Sequence, residues 1–152
     1  MRIRNITKSD IRILAKIFDQ YRVFYEQKSN IIGSNKFLLE RFENKQSKIF
    51  VAENELYEII GFIQLYPIFS STRMNKLWLL NDLFFSEKFR GKGVSVLLIE
   101  EAKKLCKKTN ACGLILETAK TNEIGNSLYP KTGFLLDLEH NYYSWENTYQ
   151  QK

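Results

Sequence analysis

The residues best suited to chemistry lie between Asn81 and Ala102, in the run NDLFFSEKFRGKGVSVLLIEEA. An apolar stretch, Leu77 to Phe85, leads into Arg90-Gly91-Lys92-Gly93, and a helical apolar pattern starts at Val94. Glycines let the backbone turn sharply and come close to a ligand. The first amides of a helix have no intrahelical acceptor, and the helix dipole makes that end positive. Arg90 and Lys92 add formal charge. Such a strand, basic loop and helix suit an anion, most naturally a phosphate or pyrophosphate. The P-loop pattern GxxxxGK[ST] is absent. Gly91-Lys92-Gly93 begins a GxGxxG, but Val96 stands at the third glycine and the βαβ context of a dinucleotide site is not evident. A charged turn with no ligand is the plain alternative.

Other chemistry is narrowed by what the chain lacks. Cys106 and Cys112 are the only thiols and His140 the only imidazole. A structural zinc site takes about four such ligands, so no metal is expected. The N-terminus MRIRNITKSD has no apolar leader, which points to a reducing cytoplasm and to free thiols. Cys106 falls on the apolar stripe of a helix and reads as an inert core thiol; Cys112 precedes a strand and reads as packing. Any Ser-His-Asp or Cys-His mechanism would need His140, which sits in a polar stretch. The net charge of +6 and pI near 9.3 permit acidic partners without choosing one. With no RNP-like motif, zinc finger or concentrated basic helix, no nucleic acid is expected. Apolar runs are only a few residues long, so neither a spanning helix nor a membrane partner is expected.

The elements that must position the loop are legible from periodicity. The 152 residues and 18.0 kDa suit one domain over 1–152, with no linker or repeat. Arg2 to Ile6 alternates as a short strand does. Ser9 or Asp10 should cap a helix whose apolar face holds Ile11, Leu14, Ala15, Phe18 and Val23. A second helix is predicted from Ser34 or Asn35. Ile49–Ala52 and Ile59–Tyr66 read as a hairpin, the second strand ended by Pro67. Leu77–Phe85 reads as a central strand, oddly interrupted by Asn81-Asp82. A long helix with a Lys-rich outer face follows Gly93. Leu114–Leu116 is a strand, and Ile124–Lys131 a short helix closed by Gly133. Phe134–Leu138 and Tyr142–Trp145 are expected to form a final antiparallel pair. The order is mixed α/β.

Phe89-Arg90-Gly91-Lys92-Gly93-Val94-Ser95 resembles the R/Q-x-x-G-x-G/A signature of the GCN5-related N-acetyltransferases. Asn122 to Phe134 resembles that family's N-x-x-A-x-x-L-Y-x-K-x-G-F, with Gly125 at the Ala position and Pro130 after the Tyr. The two motifs have the right order and spacing, and the element order agrees along essentially the whole chain. Tyr21–Tyr25 and Gln64–Ser71 look like small bacterial members, similar also to yeast histone/polyamine-type acetyltransferases.

The resemblance implies a central, mostly antiparallel, twisted sheet, splayed in the middle, with helices on both faces. It implies acetyl transfer from acetyl-CoA to a primary amine, on a small molecule, lysine or N-terminus, by direct attack in a ternary complex. CoA would lie on Arg90, Gly91, Lys92, Gly93, Val94 and Ser95, with the backbone of Leu83, Phe84 and Phe85 pairing its pantetheine arm. Asn122 and Lys131 would add contacts. Tyr129 matches the general acid; Asp82 and then Glu117 are candidate bases, since Asn81 stands where some relatives have Glu. Tyr21, Phe24, Tyr25, Glu26 and Asn81 would border the acceptor. Tyr142, Tyr143, Trp145 and Tyr149 would supply a dimer strand, as in many relatives, or an ordinary edge strand; a homodimer is expected. The alternative is a CoA-binding or interaction module of the same fold with little or no turnover.

Overall fold

The computed structural model describes residues 1–147. The chain forms two compact units, Met1–Thr118 and a second from Ala119 onward. The first holds a five-stranded open sheet in the order β1 (Arg2–Asn5), β2 (Lys48–Glu53), β3 (Ile59–Ser70), β4 (Asn75–Phe85) and β5 (Leu114–Ile115). Every pairing is antiparallel except β4 with β5. Three α-helices pack with this sheet: α1 (Ile11–Phe24), α2 (Ile31–Glu43) and α3 (Val94–Lys108).

Alternation along the strands sorts the two faces. Ile49, Val51 and Phe62 share one face and pack with Ile11, Leu14, Ala15, Phe18 and Leu38 of α1 and α2. Trp78 and Leu80 point the other way, where the indole Nε1 donates to Thr109 Oγ1 (2.9 Å) at the end of α3. Helices thus cover both faces. Gly61 lies directly opposite Phe85. A Cβ there would sit 2.5 Å from Phe85 Cβ and 2.8 Å from Phe84 O, and neither atom is at a flexible end. Gly61→Ala is therefore expected to cost about 1–3 kcal/mol, read as a lower thermal midpoint at unchanged far-UV circular dichroism.

Several boundaries differ from the sequence expectation, each for a local reason. α2 begins at Ile31 rather than Ser34, because Asn30 caps it: its Oδ1 accepts from Gly33 N (2.8 Å). Asp10 does stand at the N-cap of α1, but its carboxylate is taken by Arg4 (2.7 and 2.9 Å) and Thr7 N (2.7 Å). β3 continues through Pro67 to Ser70. Pairing with β2 ends at Lys48 opposite Leu65, so Pro67 lies where β3 has an open side and its missing N–H breaks no bond.

The second unit contains α4 (Glu123–Lys131). Gly133 (φ 85°) follows it, with Gly133 N bonding Pro130 O (3.0 Å) and Phe134 N bonding Tyr129 O (3.0 Å). This is a Schellman ending, and Pro130 stands in the last turn before it. The antiparallel pair expected over Phe134–Leu138 and Tyr142–Trp145 is not formed; those residues have no regular structure. Asp137 instead closes a turn, its Oδ1 accepting from Glu139 N (2.9 Å) and His140 N (3.1 Å). Leu135, Leu136, Leu138, Tyr142, Tyr143 and Trp145 are exposed. Tyr149 lies outside the described residues.

Candidate active site

The irregularity at Asn81-Asp82 is a bulge. Gln64 pairs with Asp82 and Leu65 with Leu80, which leaves Asn81 as the extra residue. Beyond Leu79, β4 also parts from β5: the two pair only at Trp78–Leu114 and Leu79–Ile115. The stretch Leu80–Phe85 therefore has no β5 partner along that edge. Bulges bend a strand and commonly re-aim side chains beside active sites.

Asp82 is the buried centre of this region, 4% exposed. Gln64 Nε2 donates to its Oδ2 (2.9 Å) and Asn81 Nδ2 to its Oδ1 (3.0 Å), and the Tyr21 hydroxyl donates as well. Gln64 Nε2 also meets the Tyr66 hydroxyl (2.7 Å), and Ser47 Oγ lies 3.3 Å from Gln64 Oε1. Burial holds the Asp82 carboxyl above the usual carboxylate range, against the pull of the three donors. Burial, and then the Asp82 charge, push the Tyr66 phenol up to about 12. Arg41 lowers it in part, although its Nε is itself buried without a hydrogen-bond partner among the described residues.

An aromatic group extends outward from this carboxylate. Tyr21 packs edge-on against Phe62 and Phe84 (both 5.9 Å) and Tyr25 (5.1 Å). Phe24 touches Tyr25 (5.2 Å) and Phe84 (6.3 Å). Phe24 is 61% and Tyr25 50% exposed. Behind them Asp19 clasps the next loop, accepting from Ser29 Oγ (2.6 Å), Asn30 N (2.7 Å) and Arg22 (3.3 Å). Those donors, Ser29 first, hold its carboxyl below the usual range. Glu26 is exposed at φ 61°.

The glycine loop takes the form the sequence suggested. Gly91 and Gly93 have φ of 75° and 74°, and a Cβ on either would meet nothing within 4 Å. Gly93 is the N-cap of α3, with no side-chain cap. The first helical bond is Leu97 N to Gly93 O (3.1 Å), so the amides of Val94, Ser95 and Val96 precede the ladder. Arg90 pairs with Glu87 (2.6 Å), and Lys92 Nζ lies over the Phe89 ring (5.2 Å).

Of the residues singled out from sequence, Tyr21, Phe24, Tyr25, Asn81, Asp82 and Phe84 are brought into one contiguous group. Leu83 and Phe85 alternate with them on β4. Glu117 is exposed on the segment after β5. In the second unit, Asn122 caps α4 by accepting from Gly125 N (3.0 Å), Tyr129 packs on Phe134 (5.8 Å), and Lys131 is exposed. Gln64 and Tyr66 were missed as site residues. The available signal was a glutamine alone among apolar neighbours on β3. Cys106 donates to Ala111 O (3.4 Å), and burial pushes its thiol up, which does not suit a nucleophile.

Comparison with known proteins adds an independent line. The model of the acetyltransferase (GNAT) family matches residues 12–134. An uncharacterized N-acetyltransferase of Bacillus subtilis (strain 168), YhfO, is 42% identical over 134 residues, 88% of this chain and 89% of that one. A probable acetyltransferase of Haemophilus influenzae is 29% identical over 137 residues, 90% of this chain and 92% of its own. The crystal structure of a probable acetyltransferase superposes with a TM-score of 0.93 at 34% identity, covering 97% of this chain and 99% of the other.

Proposed function

Since the chain belongs to the acetyltransferase (GNAT) family, we propose that it transfers an acetyl group from acetyl-CoA to a primary amine within a ternary complex. The observation that carries this reading is the start of α3. Three amides ahead of the helical ladder and two positive-φ glycines with open space above them suit a pyrophosphate. No side chain caps that end, so an anion would meet no competitor there. Arg90 to Ser95 would hold the cofactor phosphates, and the β4 edge at Leu83–Phe85 would offer backbone groups to the pantetheine. Asn122 and Lys131, which match the family motif, are further proposed cofactor contacts. Bound acetyl-CoA supplies the acetyl group as an activated thioester.

The chain's own part is proton handling. An alkylamine has a pKa near 10.4 and attacks only when neutral. Asp82, its affinity for a proton raised by burial, is the proposed acceptor of the amine proton, directly or through water. Glu117 is the second carboxylate for the role. Tyr129 Oη is the proposed donor of a proton to the departing sulfur. The aromatic group of Tyr21, Phe24 and Tyr25, with Glu26, is the proposed border of the acceptor amine.

Thermal unfolding with acetyl-CoA, and with NAD and ATP as controls, tests the cofactor. Ligand at 100 times Kd should add about 2.7 kcal/mol and raise the midpoint by several degrees. Thiol release with a panel of small amines and lysine peptides then tests turnover. Tyr129→Phe should keep the acetyl-CoA shift and lose turnover. A shift without release on any amine would favour the binding-module reading, for which the three donors already spent on Asp82 speak. No shift would end both.

A further inference from the structure

We propose that the outer groove between α1 and α2 docks an acidic, amphipathic helical segment of a partner protein. The groove is lined by Arg12 and Lys16 of α1 and by Ile31, Ile32, Lys36 and Leu39 of α2, with a volume of about 540 Å³. It lies apart from the glycine loop and the Asp82 group in residue composition, and none of its residues belongs to either.

Its charge is one-sided and locally uncompensated. Arg12 and Lys16 stand at i and i+4 on α1, a spacing at which like charges repel. The only carboxylate of α1, Asp19, is bound to Arg22 and the Ser29–Asn30 loop. The two carboxylates of α2 are also committed, Glu40 to Arg41 (2.9 Å) and Glu43 to Lys8 (2.6 Å). Arg12, Lys16 and Lys36 have no ion-pair partner among the described residues. The cations therefore surround an apolar floor without any acid of their own helices to answer them.

The floor is apolar in a way that water does not favour. Ile32 is 85% exposed and Ile31 49%, while Leu39 is half-buried. Scattered exposed apolar residues are ordinary, but a contiguous set rimmed by charge marks an interaction site. The lining draws its cations from both helices, Arg12 and Lys16 from one and Lys36 from the other. A helix laid along the groove can send leucine-type side chains to the floor and carboxylates to the rim. Charge complementarity then selects an acidic helix over a basic one.

The probe is a fluorescein-labelled synthetic helix with Leu at i, i+4 spacing flanked by Glu, followed by anisotropy with the full chain. Saturable binding is expected, weakening as salt rises. Lys16→Glu/Lys36→Glu should lower the affinity about tenfold or more. Ile32→Ser should lower it with little change in the salt dependence. All these positions are exposed, so unfolding midpoints should match the parent within the usual surface range. The proposal is overturned by any of three results: no saturable binding of the Glu/Leu helix, equal affinity for a Lys/Leu helix, or unchanged affinity in the double variant. Binding to anionic phosphatidylglycerol vesicles but not to the peptide would overturn it in favour of a membrane surface.

Discussion

Asp82→Asn is expected to lower turnover in the acetylation assay by about 10²–10⁴-fold, the usual loss when a general base is removed. The parent should show kcat/KM rising with pH along a limb that reports the Asp82 carboxyl, since a base acts only when deprotonated. Burial holds that carboxyl above its ordinary range, so the limb should lie above that of an exposed aspartate. In the variant the limb should vanish. Stability moves in a second, separable way. A carboxyl whose folded pKa is raised favours the folded state at low pH, and this contribution is lost as pH rises from the unfolded value, about 3.8, through the folded one. Asparagine removes that loss. It also turns one acceptor into a donor facing the Gln64 and Asn81 amides, at about 1–3 kcal/mol. The measurements are kcat and kcat/KM against pH, with urea titrations at two pH values. A stability change with kcat and its pH profile intact would make Asp82 a brace between strands and would pass the base role to Glu117.

Phe62→Ala is expected to have the largest effect on folding. The side chain is fully buried and meets Phe18 and Tyr21, each at 5.9 Å between ring centres. Truncating a buried Phe costs about 3–5 kcal/mol, against a total stability of about 5–15 kcal/mol for a domain. Urea denaturation should show a lower midpoint at an unchanged slope. A loss under about 1 kcal/mol would mean that the neighbouring rings collapse into the space. The loss should reach the site as well, because Tyr21 rests on Phe62 and donates to Asp82. Phe62→Leu keeps most of the volume and should keep more of both properties.

The parts of the fold that were legible in the sequence are those set by local periodicity. The amphipathic stripe after Gly93 became α3, and the polar interruption at Asn81-Asp82 marked the bulge. The two glycines announced their own positive φ. What was not legible depended on particular hydrogen-bond and strand partners rather than on an apolar repeat. Pro67 reads as a stop only if both sides of β3 are paired, and the register with β2 shows that one side is open there. Asn30 falls before the predicted helix start at Ser34 or Asn35, because its capping role depends on Gly33 N, not on an apolar repeat. Phe134–Trp145 alternates well enough for strands, but Asp137 offers the backbone a turn that competes with a ladder. Gln64 was hidden for the same reason. Its meaning lies in Asp82 across the sheet on β4 and Ser47 just before β2, with Tyr66 two positions along its own strand.

The bulge on β4 is a matter of chain length rather than of side-chain type. Because Asn81 is the supernumerary residue, Leu80 and Leu83 face the same side although three positions separate them. Excising Asn81 would leave Leu80 and Asp82 as consecutive residues on opposite faces, with every other side chain on its present side. No residue would change its surroundings by type, yet the strand would straighten and its bare edge could run on beside β5. Substitution at this position can alter only what the extra residue contacts. The opening between β4 and β5 is therefore set by the number of residues in the strand, and deleting Asn81 is expected to close it where a substitution at Asn81 leaves the count unchanged.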